Sequence, residues 1–233
     1  MEDPRIISAL FIFLKMAYYN VLINNSLDPK NADLADLGTV MPNVYHTKEE
    51  MIDCVNAFYD GMVQRSEEMK QHPNYKTGEN YAYLGLQPCF LIFDEYVAFF
   101  EMLGTKESMS LLSQLKKIVM LGRQAGYFLI VACQRPDAKY FSDGIRDNFN
   151  FRVGLGRISE LGYGMLFGSD VKKQFFQKRI KGRGYCDVGT SVISEFYTPL
   201  VPKGHDFLQT IGRLAQARQD GTATCEAKGD GTD

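Results

Sequence analysis

Two runs of unbroken apolar residues, CFLIF at 89–93 and YFLIVAC at 127–133, lie on either side of a segment with helical character. A strand with one face in water would alternate apolar and polar residues, so continuous runs predict strands that are covered on both faces. A third run, FRVGLG at 151–156, follows after a short predicted helix. Strands that alternate with helices predict an α/β fold with a mainly parallel sheet and helices on both faces.

The rest of the chain predicts further helices and loops around these strands. Thr47 and Glu50 have the spacing of a capping box, and the apolar residues after them recur every three or four positions, which predicts a helix. Residues 71–88 are polar and predict a loop or insertion. The other predicted elements are a helix at 6–17, a strand at 20–24, helices at 107–124 and 143–148, a largely helical stretch at 158–179, and a hairpin at 182–200.

Composition and charge narrow the class of protein. We expect one domain over residues 1–213 and a disordered tail over 214–233, where periodicity is lost. The net charge of −2 gives no global sign of nucleic-acid or membrane binding, and five cysteines without a CxxC pair argue against a zinc site. The apolar stretch 6–23 approaches the length of a membrane span, but it contains Lys15 and Asn20. We therefore expect a soluble buried helix followed by a strand.

Asp94 and Glu95 come directly after the first apolar run, at the end of the strand where ligands bind in parallel sheets. In phosphoanhydride hydrolysis, Asp94 would help to hold Mg²⁺ through water and Glu95 would polarise the attacking water as general base. The alternative is that the two acids only cap the helix that begins at Tyr96, where negative charge is favourable. The strand and its two acids leave both interpretations open.

Two other predicted strand ends carry polar residues. Gln134 ends the run 127–133, where its carboxamide could contact a γ-phosphate and the attacking water, or only bond the local backbone. Asp28 and Lys30 follow the predicted first strand, and Pro29 between them fixes the turn. They belong either to the same site or to an ordinary turn with solvated charges.

The order of these motifs is more specific than any one of them. The chain carries DPKNADL at 28–34, FLIFDEY at 90–96, LGRQAGYFLIVACQRP at 121–136 and IRDNFNFRVGLG at 145–156. Over roughly residues 6–200, this series resembles the FtsK/SpoIIIE/HerA superfamily of motor ATPases. The DPKNADLADLG form is similar to the conjugative coupling proteins of the TcpA type. The fold that the resemblance implies is the RecA-like architecture of P-loop nucleoside triphosphatases.

The resemblance also implies roles for individual residues in a site for ATP and Mg²⁺. Asp94 and Glu95 correspond to the Walker B pair, with Asp94 as the metal residue, and Gln134 matches the polar sensor of the adjacent strand. Arg123 falls where the family has an arginine that enters the neighbouring subunit's site; alternatively, it is a cation in the last turn of a helix. The remaining candidates for contact with the nucleotide are Asp28, Lys30, Arg146 and Arg152, and the two arginines are also candidates for contact with DNA.

At the level of the whole protein, the resemblance implies a motor that moves double- or single-stranded DNA as a ring, expected to be a hexamer, in conjugative transfer. Such proteins carry transmembrane helices upstream, so we expect the parent at the cytoplasmic face of the membrane and this chain soluble in the cytoplasm. Two alternatives stay open, a secretion motor that moves proteins and a non-catalytic module that pairs with partner subunits. Basic residues between Lys172 and Arg183 either contact DNA or form a solvated helix face.

One motif of the superfamily is absent from the sequence. The Gly-rich loop GxxxxGK[ST], which binds the β- and γ-phosphates, does not occur in the 233 residues. The resemblance places this loop just before the first helix, so we expect the chain to begin after it and to lack the first strand of the fold. A truncated reading frame, an expression fragment and a degenerate paralogue would each account for this.

Overall fold

The computed structural model describes residues 23–134, 139–141, 143–156, 158–168, 171, 180, 182–190, 192–198 and 204–219. Within them the strands form two sheets. The strands are β1 (Ile23–Leu27), β2 (Val44–Tyr45), β3 (Cys89–Phe93), β4 (Tyr127–Val131), β5 (Arg152–Leu155), β6 (Arg183–Asp187) and β7 (Ile193–Tyr197). The α-helices are α1 (Lys48–Gln71), α2 (Tyr96–Glu101), α3 (Thr105–Ala125), α4 (Asp143–Arg146), α5 (Glu160–Phe167) and α6 (Phe207–Gln219), and 3-10 helices span Ala35–Thr39 and Tyr81–Leu84.

The first sheet has four parallel strands in the order β2-β1-β3-β4, which confirms the predicted fold class. The register pairs Leu27 with Phe93, and Phe93 with Val131, so β1, β3 and β4 end at the same edge. The ladder continues one residue further, because the Asp94 N–H donates to the Leu27 carbonyl at 2.9 Å and the Ala132 N–H to the Phe93 carbonyl at 2.8 Å. This carboxyl edge carries the predicted site.

Helices cover both faces of this sheet at β3, which explains why this strand has no polar residue. On one face, Leu91 and Phe93 pack in a cluster with residues of α1, α2 and α3. On the other face, Ile92 packs with the 3-10 helix Ala35–Thr39 and with Ile211 of α6. Leu91, Ile92 and Phe93 are all fully buried, so every position of this part of β3 faces protein.

The predicted ends of the long helices are confirmed. Thr47 caps α1 through a capping box with Glu50. Helix α3 ends at Gly126, which has a left-handed conformation with φ of 79°, and its N–H donates to the Gly122 carbonyl. The turn is tight, since a Cβ at Gly122 would lie 2.2 Å from the Tyr127 carbonyl oxygen and one at Gly126 would lie 2.6 Å from the Tyr81 ring. The glycines of LGRQAG therefore allow α3 to pack directly onto β4.

We expect Gly122→Ala to lower the free energy of unfolding by about 2–3 kcal/mol, because the new methyl group forces α3 away from the β4 backbone. The matched control is Gly164→Ala in α5, where an added Cβ meets nothing within 4 Å. That change should raise the stability by about 0.5–1 kcal/mol, since alanine is the better helix former. Urea denaturation of both variants measures the difference, and equal stability of the two would contradict the close packing at Gly122.

The second sheet corrects one prediction. The run at 151–156 does form a strand, β5, but it pairs antiparallel with β6, and β6 pairs antiparallel with β7. The predicted hairpin of β6 and β7 is thus confirmed, while the third apolar run is not a strand of the parallel sheet. An apolar run shows that a strand is covered, but it does not show in which direction the neighbouring strand runs.

Several predicted boundaries shift in the structure. Strand β1 extends to Leu27 instead of ending at Asn24, and the polar loop at 71–88 contains a short 3-10 helix. Helix α5 spans Glu160–Phe167, and residues 169–170 and 172–179 of the stretch predicted to be helical lie outside the described residues. Helix α6 continues to Gln219 with Ile211 and Ala215 buried, so the tail boundary predicted at 214 falls inside a helix.

Some predictions lie outside the described residues. They are the helix at 6–17, the start of the predicted first strand, the basic residues at 172–179 and 181, and residues 220–233 of the predicted tail. Among the helices that the structure does describe, none combines the length and the apolar character required to cross a bilayer.

Candidate active site

Asp94 and Glu95 lie side by side at the carboxyl edge of the parallel sheet, directly after β3. Both residues are buried, and Asp94 Oδ1 accepts a hydrogen bond from the Glu95 N–H at 3.0 Å. Burial of two neighbouring carboxylates is unfavourable unless partners or a ligand compensate their charges. The local structure therefore concentrates negative charge at the sheet edge where parallel α/β folds bind ligands.

Glu95 has a left-handed backbone conformation, with φ of 45° and ψ of 56°. Few residues other than glycine adopt this conformation, which costs of order 1–3 kcal/mol and is concentrated at functional sites. The surrounding backbone fixes it, because the Tyr96 N–H donates to the Ala132 carbonyl of the neighbouring strand at 3.0 Å. Although Glu95 precedes α2, its side chain makes no capping hydrogen bond to that helix. This observation disfavours the interpretation of Glu95 as a helix cap.

The carboxylate of Glu95 is held from two sides. Its Oε2 lies 3.2 Å from Nζ of Lys30, and its Oε1 accepts a hydrogen bond from the Gln134 N–H at 3.3 Å. Three segments that are far apart in sequence, the DPK segment, the end of β3 and the end of β4, thus meet at one carboxylate. These contacts bring together Lys30, Glu95 and Gln134, three of the residues predicted for the site.

Asp28 also lies at this edge, but its carboxylate serves the turn. Its Oδ1 accepts from the Lys30 N–H at 3.1 Å, and its Oδ2 accepts from the N–H groups of Ala32 and Ala35 at 2.8 and 2.9 Å. Asp28 is fully buried. Because both oxygens are engaged by backbone donors, this geometry favours a role of Asp28 in the turn over contact with a nucleotide, but its carboxylate is buried and not solvated as the turn alternative expects.

Gln134 and Arg123 occupy different edges of the sheet. Gln134 reaches Glu95 through its backbone, and the residue as a whole is exposed. Arg123 is exposed in the last turn of α3, ahead of the first residue of β4, and so lies at the amino-terminal edge. The five residues of β4 separate the two edges by about 16 Å. The fold therefore does not bring Arg123 to the Asp94–Glu95 pair of its own chain.

The other two predicted arginines make local ion pairs. Nη2 of Arg152 lies 2.6 Å from Oδ2 of Asp187, and its Nη1 donates to the Leu166 carbonyl at 3.2 Å. This pair joins β5 to β6 and to α5, within the second sheet. Nε of Arg146 lies 3.1 Å from Oδ1 of Asp147 next to it. Both contacts are consistent with structural roles. No described contact joins either arginine to Asp94 or Glu95.

Cys133 was missed as a neighbour of the site. Burial, and then the negative charges of Glu95 and Asp94, raise the pKa of its thiol to about 12. The thiol therefore stays neutral at physiological pH and adds no third charge beside the two carboxylates. Its place directly before Gln134, at the end of an apolar run, was the sequence signal that it borders the same edge.

The donor chemistry at this edge fits Mg²⁺, a hard cation that prefers oxygen ligands and keeps several waters. Asp94 and Glu95 supply carboxylate oxygens. No cluster of three or more potential metal ligands occurs among the described residues. This donor set is in keeping with sites where one or two carboxylates share the ion with substrate phosphates.

Comparison with known proteins agrees with the sequence motifs. Over 208 residues the chain is 56% identical to the FtsK domain-containing protein YdcQ of Bacillus subtilis strain 168. The match covers 89% of this chain but 43% of YdcQ, so the chain spans less than half the length of that relative. No family model matches the sequence.

Solved structures with low sequence identity share the fold. The conjugation coupling protein TcpA of pCW3, in its monomer form with ATPγS, aligns with a TM-score of 0.70 at 17% identity, over 88% of this chain and 61% of its own. The cytoplasmic domain of the type VII secretion ATPase EccC of Thermomonospora curvata aligns with a TM-score of 0.55 at 18% identity, over 83% of this chain and 24% of its own. The sequence match and the shared fold confirm the predicted resemblance to the FtsK/SpoIIIE/HerA superfamily.

Proposed function

We propose that this chain is the ATP-hydrolysing core of an FtsK-type motor that moves DNA. The observation that carries the proposal is the position of Glu95. Its carboxylate is buried beside Asp94 at the ligand-binding edge of the sheet, in a strained backbone conformation, with Lys30 and the Gln134 N–H on its two oxygens. Strained backbone is concentrated at functional sites, and a buried and oriented acid at this edge suits the role of a general base.

Each residue has one task in the proposed reaction. Asp94 would hold Mg²⁺, which when bound to the phosphates offsets their charge. Glu95, with the Gln134 N–H on one of its oxygens, accepts the proton of the attacking water. The carboxamide of Gln134, at the exposed end of the neighbouring strand, contacts the γ-phosphate and orients the water. These tasks amount to positioning and charge stabilisation, which dominate catalysis of phosphoryl transfer.

We assign Arg123 to the site of a second copy of the chain. It is exposed at the amino-terminal edge of the sheet, too far from Glu95 to act within one copy. An arginine supplied by a neighbouring subunit would stabilise the charge that develops in the transition state. Hydrolysis would then depend on assembly, and a closed ring is the simplest assembly in which every site receives such an arginine.

DNA is the proposed cargo, and two observations support it. The DPKNADLADLG form of the sequence is similar to conjugative coupling proteins, and the fold aligns with the coupling protein TcpA. The whole motor would act at the cytoplasmic face of a membrane during transfer of DNA between cells. A protein cargo is the second candidate, because the same fold aligns with the secretion ATPase EccC.

The test compares this chain with a version that carries an added strand followed by a GxxxxGK[ST] loop ahead of Ile6. We expect the extended version to hydrolyse ATP and to be stimulated by DNA, because the loop supplies the backbone N–H groups and the lysine that bind the phosphates. The unextended chain is the matched control, and it should bind ATP with a dissociation constant of about 1 mM or weaker. Steady-state hydrolysis and calorimetric titration measure the two.

Two outcomes would contradict the proposal, and a third would contradict the expected need for the Gly-rich loop. Hydrolysis that DNA does not stimulate would remove the evidence for a DNA motor, and stimulation by a signal-bearing peptide instead would favour a protein cargo. DNA stimulation that survives Glu95→Gln would mean that the assigned site is not responsible. ATP binding by the unextended chain well below 1 mM would show that the described residues bind phosphate without the Gly-rich loop.

A further inference from the structure

The DPK segment links β1 to the site in a way that the sequence could not show. Strand β1 pairs with β3 so that Leu27 lies beside Phe93, and the residues after them are therefore Asp28 and Asp94. Two residues beyond Asp28, the Lys30 side chain extends to Glu95. Neighbouring strands of one sheet thus deliver a lysine to the glutamate of the acid pair.

Asp28 fixes the backbone from which the Lys30 side chain extends. The Lys30 N–H donates to Asp28 Oδ1, and the turn that follows is held by the N–H groups of Ala32 and Ala35 on Asp28 Oδ2. Asn31 in this turn has a left-handed backbone conformation, with φ of 49°, which these hydrogen bonds accommodate. One buried carboxylate therefore holds the backbone from 28 to 35, and the Lys30 side chain extends from this held segment.

The ammonium group of Lys30 directly contacts the carboxylate of Glu95. The distance from Nζ to Oε2 is 3.2 Å, and the two side chains are 34% and 11% exposed. The other oxygen, Oε1, accepts from the Gln134 N–H. These two donors, one on each oxygen, restrict the rotation of the carboxylate about the last bond of the side chain. An isolated glutamate would keep this rotation.

We infer that Lys30 is a positioning residue for Glu95 and not a contact for the nucleotide. The inference rests on the proposed function in one respect, since it takes Glu95 to be the general base. Asp28, Lys30 and the Gln134 N–H then form one supporting shell that sets the direction in which the Glu95 carboxylate accepts a proton. A displacement of a catalytic group by about 1 Å can lower a rate about 100-fold, so such a shell has a measurable effect on turnover.

The first arm of the test asks whether the contact exists, and it needs no ATP. Lys30→Met, Glu95→Gln and the double variant are compared by their midpoints of thermal unfolding. We expect Lys30→Met to shift the midpoint clearly less in the Glu95→Gln background than in the native chain, because glutamine carries no charge to pair. The exposed pair of Lys76 and Glu79, with its nitrogen and oxygen 3.9 Å apart, is the control, for which the same cycle should be additive. Additive effects at Lys30 and Glu95 would overturn the inference.

The second arm asks what the contact does, in the extended version that carries the phosphate loop. We expect Lys30→Met to lower kcat about 100-fold with KM for ATP within about 3-fold, and Lys30→Arg to recover at least a tenth of the lost rate. A rise in KM above 10-fold with kcat retained would assign Lys30 to the nucleotide and overturn the inference. An extended version that hydrolyses no ATP would contradict the proposed function, whereas the unfolding cycle would still decide whether Lys30 holds Glu95.

Discussion

Replacing Glu95 by glutamine is expected to lower the rate of ATP hydrolysis by about 100- to 10,000-fold in the version that carries the phosphate loop. Glutamine keeps the size of the side chain and can still accept from the Gln134 N–H, but it cannot take a proton from water. The substitution also removes the negative charge that faces Lys30. Initial rates of phosphate release at saturating ATP measure the loss.

Nucleotide binding separates a catalytic effect from a general one. The dissociation constant for ATP should change by less than about 3-fold in Glu95→Gln, because the variant removes an acceptor of the proton and not a contact for the phosphates. Glu101→Gln is the matched control, since it makes the same change at an exposed position at the end of α2 and should leave the rate unaltered. A Glu95→Gln rate within 10-fold of the native rate would exclude Glu95 as the general base.

The same variant tests the assignment of Arg123. A mixture of Glu95→Gln chains and Arg123→Ala chains contains some contacts at which one chain supplies an intact Glu95 and its neighbour an intact Arg123. If Arg123 acts in the neighbouring site, the mixture should hydrolyse ATP faster than either variant alone. If Arg123 acts only in the helix that carries it, mixing should give the average of the two rates.

The sequence was a good guide to the elements whose signal is local. The runs at 89–93 and 127–131 form β3 and β4, as expected of unbroken apolar strands with two covered faces. Helix α1 begins at Lys48, directly after its cap Thr47, because the capping box is complete within four residues. The same reasoning predicts that Glu95 and Gln134 lie close together, because adjacent parallel strands have their carboxyl ends at the same edge of the sheet. What it did not supply was the direction of β5, which depends on strands that come about 30 residues later in the chain.

The sequence predicts the edge of the sheet at which the candidate residues lie. It predicts few of the contacts that they make there. The pairing of Lys30 with Glu95 joins residues 65 positions apart, and no periodicity connects them. The role of Asp28 was hidden for a different reason, because its partners are backbone N–H groups, which every residue except proline carries. Sequence patterns identify side chains that are unusual, whereas these contacts depend on the path of the main chain.

Asp28→Ala is expected to lower the free energy of unfolding by about 3–5 kcal/mol. The change leaves the N–H groups of Lys30 and Ala32 without their acceptor and leaves the Ala35 N–H with only the Ala32 carbonyl, and an unsatisfied buried donor costs about 1–3 kcal/mol. Asp36→Ala is the matched control in the adjacent 3-10 helix, where the side chain is exposed and the change should cost within about 0.5 kcal/mol. Urea denaturation of both variants gives the comparison, and similar losses at the two positions would show that the carboxylate of Asp28 does not hold the turn.

Asp28→Asn refines this expectation, because asparagine keeps one acceptor oxygen and places an amide donor where the other oxygen was. If the amide oxygen keeps the N–H groups of Ala32 and Ala35, the new NH₂ group faces the Lys30 N–H, and two donors then oppose each other. We expect a smaller loss of stability than in Asp28→Ala. Turnover should nevertheless fall about as far as in Lys30→Met, because the disturbed turn displaces Lys30 from Glu95. A variant that lost stability and kept its full rate would separate the turn from the catalytic glutamate, and it would restrict Asp28 to a role in folding.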